Sequence, residues 1–165
     1  MQIQTTRFGV VSVDPDHLIT FPRGLVGLSD CVRFTLLQRG EKSVYYWLQS
    51  TDQPELAFLV VDPGEFFKDY HVSIREDTQA DLNLTDAKDG QMLVICNCAG
   101  EWLTGNLLGP LVINTKTRVA QQVVLTDKKW TCRQPLVRLS GAGGETGTSA
   151  SSAAAPVKAL AARAA

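Results

Sequence analysis

No stretch of this sequence approaches the roughly 20 consecutive apolar residues that a membrane-spanning helix needs. Its first residues, MQIQTTRFGV, lack the basic start and long apolar run of a secretory signal. Both absences predict a cytoplasmic protein with no membrane partner. Histidine is scarce: His17 and His71 are the whole supply, they show no ligand spacing to each other, and they leave few choices for a general base. There is no G-x-S-x-G nucleophile elbow. Gly24-x-x-Gly27 and Gly105-x-x-x-Gly109 fit neither a P-loop nor a dinucleotide fingerprint. The glycine-rich run Gly141–Gly147 lacks the flanking strand and helix of a phosphate cradle. Two carboxylate pairs, Asp52 with Glu55 and Asp62 with Glu65, each sit beside a proline, where turn formation explains them more simply than catalysis. These absences predict a protein that is not an enzyme and carries no cofactor.

The four cysteines are read as reduced thiols, in keeping with that compartment. Cys96-x-Cys98 is their one close pair, whereas a structural zinc site wants about four ligands in two spaced pairs. The simpler reading is two small apolar side chains on the inner face of a strand, so no metal is expected.

What is present suits one soluble globular domain with a genuine core: 165 residues, 44% hydrophobic and 20% charged. The net charge of −1 sets up no global field, but its distribution is uneven. From Asp62 to Asp89 eight acids stand against three bases, a balance of −5. From Lys116 onward eight bases stand against two acids, a balance of +6. Such blocks are either solvated surface or docking sites for an oppositely charged partner.

Composition divides the chain at Leu139. Residues 140–165 are almost wholly Gly, Ala, Ser and Thr without an aromatic, too little apolar area to offset the entropy of ordering. The expectation is a folded domain over 1–139 and a disordered tail over 140–165, its Ala-rich end, Ala153–Ala165, long enough only for a transient helix. Within the domain the pattern is of short β-rich runs broken by turns. Gln2–Phe8 and Val10–Val13 flank Gly9 as a hairpin. Arg33–Leu37, Val44–Gln49 and Ala57–Val61 read as strands, with Leu59-Val60-Val61 continuously apolar as in a strand buried on both faces. Met92–Cys98 alternates, with Met92, Val94, Cys96 and Cys98 on one face and Leu93, Ile95 and Asn97 on the other. Gly105–Leu108, Leu111–Asn114 and Val119–Leu125 follow, and Tyr70–Ile74 is a further candidate strand. Glu76–Leu84, with acids in its first turn, is the one expected helix. About ten short strands and little helix predict a mainly β fold, a small antiparallel β-barrel-like domain with one short helix.

Four stretches together resemble one known family. Ile19-Thr20-Phe21-Pro22-Arg23-Gly24-Leu25-Val26-Gly27-Leu28 is similar to its "ITFPEGLPGF" segment, with Arg23, Val26 and Leu28 in place of Glu, Pro and Phe. The run Trp47 to Phe58, with Leu48-Gln49-Ser50, Asp52, Pro54 and Leu56-Ala57-Phe58, resembles "LQS-x-D-x-P-x-LAF". Val61-Asp62-Pro63 leads to Phe66-Phe67-Lys68-Asp69-Tyr70, and Asn106 to Asn114 is similar to "NL-x-x-P-x-VIN". All four stand in the family's order and spacing across roughly residues 1–137. The family is FliW. The resemblance implies a β-rich cytoplasmic flagellar assembly factor with two protein partners. One is flagellin, bound before export; the other is CsrA, the RNA-binding repressor of flagellin translation, which FliW antagonises non-competitively.

The acidic run offers a place for such a partner. Asp62, Phe66, Phe67, Asp69, Tyr70, His71, Glu76 and Asp77 are the expected partner-binding residues: carboxylates that steer a basic protein, with aromatics as anchors. Because adjacent strand residues face opposite ways, one of Phe66 and Phe67 is expected to face outward. His71 stands where the family pattern favours an acid. An alternative reading is a small β-barrel that binds RNA, stacking bases on aromatics among Arg118, Lys128, Lys129, Trp130 and Arg133; direct nucleic-acid binding is not expected from the family.

Overall fold

The computed structural model describes residues 1–139 and the backbone of 157–160. The chain opens with the hairpin β1 (Gln2–Thr5) and β2 (Gly9–Ser12), which turns on Gly9 at φ 69°. A short 3-10 turn capped by Asp14 leads to β3 (Ile19–Thr20). The loop that follows is set by Gly24, at φ 64°, where an added Cβ would lie 2.4 Å from the carbonyl oxygen of Leu28. Three strands then meander antiparallel: β4 (Arg33–Arg39), β5 (Tyr45–Ser50) and β6 (Ala57–Val61). The helix α1 (Glu76–Asp81) precedes the longest strand, β7 (Gly90–Ala99). After it come β8 (Trp102–Gly105), β9 (Leu111–Asn114), β10 (Ala120–Gln122) and β11 (Gln134–Arg138). The strand β12 (Val157–Leu160) lies antiparallel along Leu36–Arg39 of β4.

The main sheet runs β10-β9-β7-β6-β5-β4-β12 and curls into a half-barrel, as the sequence pattern predicts. It forks at β7. One edge of β7 pairs with β6; the other pairs with β9 along Gly90–Leu93 and with β8 along Cys96–Ala99. A strand in that position needs apolar residues on both faces, and β7 has them. Leu93 and Ile95 point into a core with Ile19, Phe21, Phe34, Leu36, Leu48, Val60, Leu111 and Ile113. Met92, Val94 and Cys96 point into a second core with Val61, Tyr70, Leu103, Leu107 and Trp130. The hairpin covers the outer side of β4 and β5, packing Ile3, Val11 and Val13 on Leu37, with Phe8 edge-on to Trp47 at 6.0 Å.

The loop after β5 is pinned from inside. Gln49 is fully buried, and its Nε2 lies 3.0 Å from the carbonyls of both Ser50 and Leu56. Ser50 Oγ accepts from the N–H groups of Asp52 and Gln53. The Leu48-Gln49-Ser50 motif is therefore a loop-building device.

Several expectations are corrected. Tyr70–Ile74 forms no strand, because Tyr70 turns its ring into the second core and the segment has no ladder partner among the described residues. The helix stops at Asp81, three residues early, where Asn83 takes φ 51°. Strand β11 was unexpected: it contains Pro135, which an edge strand tolerates, and its register shifts between Pro135 and Val137. Cys96 is buried but Cys98 is exposed, so the pair does not share an inner face. The structure of most of the tail lies outside the described residues. Its described part, Val157–Leu160, pairs with the outer edge of β4.

Gly24 gives a direct test of the loop. Gly24→Ala should lower the free energy of unfolding by about 2 kcal/mol or more, through positive φ and a backbone clash together. Gly27→Ala, at φ 82° but with open space around the new Cβ, should cost only about 1 kcal/mol. Urea denaturation with unchanged m-values reads the difference; equal losses would show that the close approach to Leu28 is unimportant.

Candidate functional site

The segment from Asp62 to Asp77 leaves β6, crosses the end of the second core and enters α1. Asp62 caps a 3-10 turn over Pro63–Glu65, its Oδ1 accepting from the N–H of Gly64 at 2.8 Å. Because this is a turn and not a strand, Phe66 and Phe67 do not alternate. Both are half-buried against the second core, which corrects the expectation that one faces outward. Phe67 packs on Trp130 with ring centroids 5.2 Å apart.

Tyr70 is the anchor of the segment. It is 8% exposed, meets Trp130 edge-on at 5.3 Å, and donates its hydroxyl hydrogen to the carbonyl of Leu107 at 2.7 Å. Burial pushes its phenol up to about 12, with the charge of Asp127 adding to the effect. Its neighbours Asp69 and His71 are exposed. Asp69 is ion-paired with Lys129, and the hydrogen bond from Lys129 is the main reason its carboxyl is held below the ordinary value. Glu76 and Asp77 are exposed in the first turn of α1, where Asp77 Oδ1 accepts from the N–H of Thr78 at 2.8 Å. The structure therefore divides the eight expected residues. Phe66, Phe67 and Tyr70 build the segment from beneath, Asp62 shapes its turn, and Asp69, His71, Glu76 and Asp77 reach solvent.

The two charge blocks are brought together by the fold. Besides Asp69 with Lys129, Asp89 pairs with Lys116 at 2.8 Å and Asp81 with Arg23 at 3.0 Å. Lys116 is held above its ordinary value by its bond to Asp89. Three bases from outside the run thus reduce its −5 to −2. Within the run, Glu65, Glu76, Asp77 and Asp86 are exposed carboxylates without an ion pair among the described residues. Of these, Glu76 and Asp77 stand side by side in the first turn of α1. The pairing of Arg23 with Asp81 also fixes the motif loop to α1 across a cleft of about 180 Å3 lined by Pro22, Gly24, Leu82 and Ala120. Sequence inspection missed this cross-link because its partners lie far apart in the chain.

The alternative RNA-binding reading loses its stacking platform. Trp130 is 7% exposed and packed between Phe67 and Tyr70, so it has no free face for a base. Lys129 is committed to Asp69 and lies 5.0 Å from the Trp130 ring. Among the described residues no group of three or more His, Cys, Asp or Glu is placed to hold a metal ion. No helix among them is long and apolar enough to cross a membrane.

This geometry has relatives. The family model described as "FliW protein" matches residues 2–136. The chain is 34% identical over 144 residues to the flagellar assembly factor FliW of Natranaerobius thermophilus, covering 86% of this chain and 95% of that one. It is 36% identical over 146 residues to the flagellar assembly factor FliW of Treponema denticola, covering 87% and 99%. A crystal structure of the flagellar assembly factor FliW superposes with a TM-score of 0.76 at 29% identity, over 83% of this chain and 97% of that one.

Tyr70 makes the stability of the segment pH-dependent in a defined direction. Its folded value, about 12, exceeds the ordinary 10, so the folded state holds the phenolic proton more tightly than the unfolded state. Its contribution is complete below pH 10 and is lost as pH rises toward 12. The buried Cys96 thiol, pushed from 9 to about 12 chiefly by burial, acts in the same direction from pH 9 upward. Tyr70→Phe should cost about 1 kcal/mol at pH 7 by leaving Leu107 without its donor. It should also flatten the alkaline decline measured by urea denaturation between pH 9 and 11. An unchanged alkaline slope would dissociate Tyr70 from that decline.

Proposed function

The chain belongs to the FliW family, and from that premise we propose that it is a cytoplasmic flagellar assembly factor acting by stoichiometric binding, without catalysis. It binds flagellin before export, and it binds CsrA, the repressor of flagellin translation. Flagellin and CsrA exclude each other on it, so export of flagellin frees the protein to lift repression. The observation that carries this reading is the match of nearly the whole described domain to proteins named flagellar assembly factors.

The candidate site supports a binding role physically. Glu65, Glu76 and Asp77 present negative charge to a basic partner, which speeds encounter and sets register more than it supplies affinity. The loop that carries Glu65 is held from below by Phe66, Phe67, Tyr70 and Trp130. A surface fixed before contact loses little entropy on binding.

Calorimetric titration with the CsrA and the flagellin of the same organism, singly and then in competition, tests the reading. Both should bind saturably at micromolar concentration or below, and flagellin should displace CsrA. Joint replacement Glu76→Lys and Asp77→Lys should weaken one partner about tenfold, mainly through slower association, in a domain that still folds but loses about 1 kcal/mol from the Asp77–Thr78 bond and the helix dipole. Silence with both partners would refute the partner switch. Undiminished binding of both by the charge-reversed protein would move the docking site away from α1.

A further inference from the structure

The curled sheet closes at one end only. Thr20 makes the closure: it pairs antiparallel with Arg33 of β4 and bridges in parallel to Val119, donating its N–H to the carbonyl of Arg118 at 2.9 Å. Strand β3 pairs with β4 no further than Phe34. Beyond it the outer edge of β4 is taken up, over Leu36–Arg39, by Val157–Leu160. That strand comes from the same chain but follows the long stretch 140–156.

We propose that Leu36–Arg39 is a docking edge for an extended segment of a partner protein, and that β12 is its tethered, displaceable occupant. The edge suits strand addition. It contains no proline, and its pairing to β5 runs without a register shift, so its outward N–H and C=O groups form a regular row. Such a row pairs with any extended backbone, and side chains decide which one. A strand of four residues makes few ladder bonds. Covalent attachment lets it hold the edge with little intrinsic affinity, and a better-matched strand replaces it.

The side chains of β4 say what a better match is. Leu36 lies in the main core, and Gln38 donates Nε2–H to the carbonyl of Ser43. On the opposite face Leu37 packs under the hairpin, and the Arg39 guanidinium sits 5.8 Å from the Phe8 ring. Arg7 lies on the same aromatic cluster, 4.1 Å from the Trp47 ring. Opposed residues of antiparallel strands share a face. The edge therefore favours aliphatic residues opposite Leu36 and Leu37, a polar residue opposite Gln38 and an acid opposite Arg39. In the antiparallel direction the partner segment reads acidic, polar, aliphatic, aliphatic. The chain's own segment reads Val157-Lys158-Ala159-Leu160. Its first residue is a valine where the edge favours an acid.

The test uses the full chain and a full-length variant carrying Lys158→Pro and Ala159→Pro. Only alternate residues of a strand donate to a given neighbour, so one of these two prolines removes a ladder bond to β4. The probes are labelled synthetic peptides of residues 154–162, one native and one with Val157→Glu, followed by fluorescence anisotropy. Both peptides should bind the double-proline chain at least about tenfold tighter than the unsubstituted chain. The Val157→Glu peptide should be the tighter by about threefold, an advantage removed by Arg39→Ala in the same background. Amide exchange at Leu36–Arg39 should accelerate in the double-proline chain and slow again when peptide is added. Failure of both peptides to bind the double-proline chain would overturn the proposal, as would equal binding to both chains.

Discussion

The fold depends on one constraint: a single ten-residue strand, Gly90–Ala99, must be apolar on both faces while sharing one edge between two neighbours. Leu93 and Ile95 belong to one core, Val94 and Cys96 to the other, so the two clusters meet across the backbone of β7. Because interiors are close-packed, a change of volume at Leu93 or Val94 is felt by everything on its side of the sheet. The fork at β7 follows from the same strand. Its first half holds β9 and thus the Leu111–Asn114 motif; its second half holds β8 and β11. Asn114 carries the connection onward, its Nδ2 donating to the carbonyls of Leu82 and Asn83 and so tying the end of α1 to the sheet.

That arrangement explains how far the sequence could be read. The alternation in Met92–Cys98 named both faces of β7 because apolar side chains at a period of two leave few other solutions. The continuous run Leu59-Val60-Val61 marked a strand buried on both sides, and Val60 and Val61 do face different cores. Strand β11 was hidden by Pro135, which argues against a strand unless the strand is known to lie at an edge, and edges are set by topology. The segment after Val61 departs from its sequence pattern for a similar reason. Reading Phe66 and Phe67 as neighbours in a strand required a ladder partner, and the 3-10 turn begun by Asp62 removes it.

The candidate site was legible in its charges and not in their pairing. Composition revealed an acidic run and a basic run. It could not reveal that Asp69 meets Lys129, Asp81 meets Arg23 and Asp89 meets Lys116. Each of these pairs is exposed on at least one side, so each adds little stability. Their larger effect is on the field. They leave Glu65, Glu76, Asp77 and Asp86 as carboxylates that a partner can engage without first displacing an internal base. Arg23, which departs from the acid of the family pattern, finds its counter-charge on α1. The departure is thereby absorbed locally and turns the motif loop into part of the same surface.

A half-barrel differs from a closed barrel in what it must do with its ends. Closure removes edges, whereas an open curl keeps two, and each invites pairing with another chain. Here Thr20 joins the ends over a single residue, with Arg33 on one side and Val119 on the other. That contact suffices to shape the main core, because Ile19 and Phe21, on either side of Thr20, are both fully buried within it. It leaves the outer backbone edge of the far part of β4 outside the closure. Phe34 and Leu48 are held by the pairing of β4 with β5 on the opposite edge. Along Leu36–Leu37 the side chains thus build the domain while the outward backbone edge of the same residues takes up another strand.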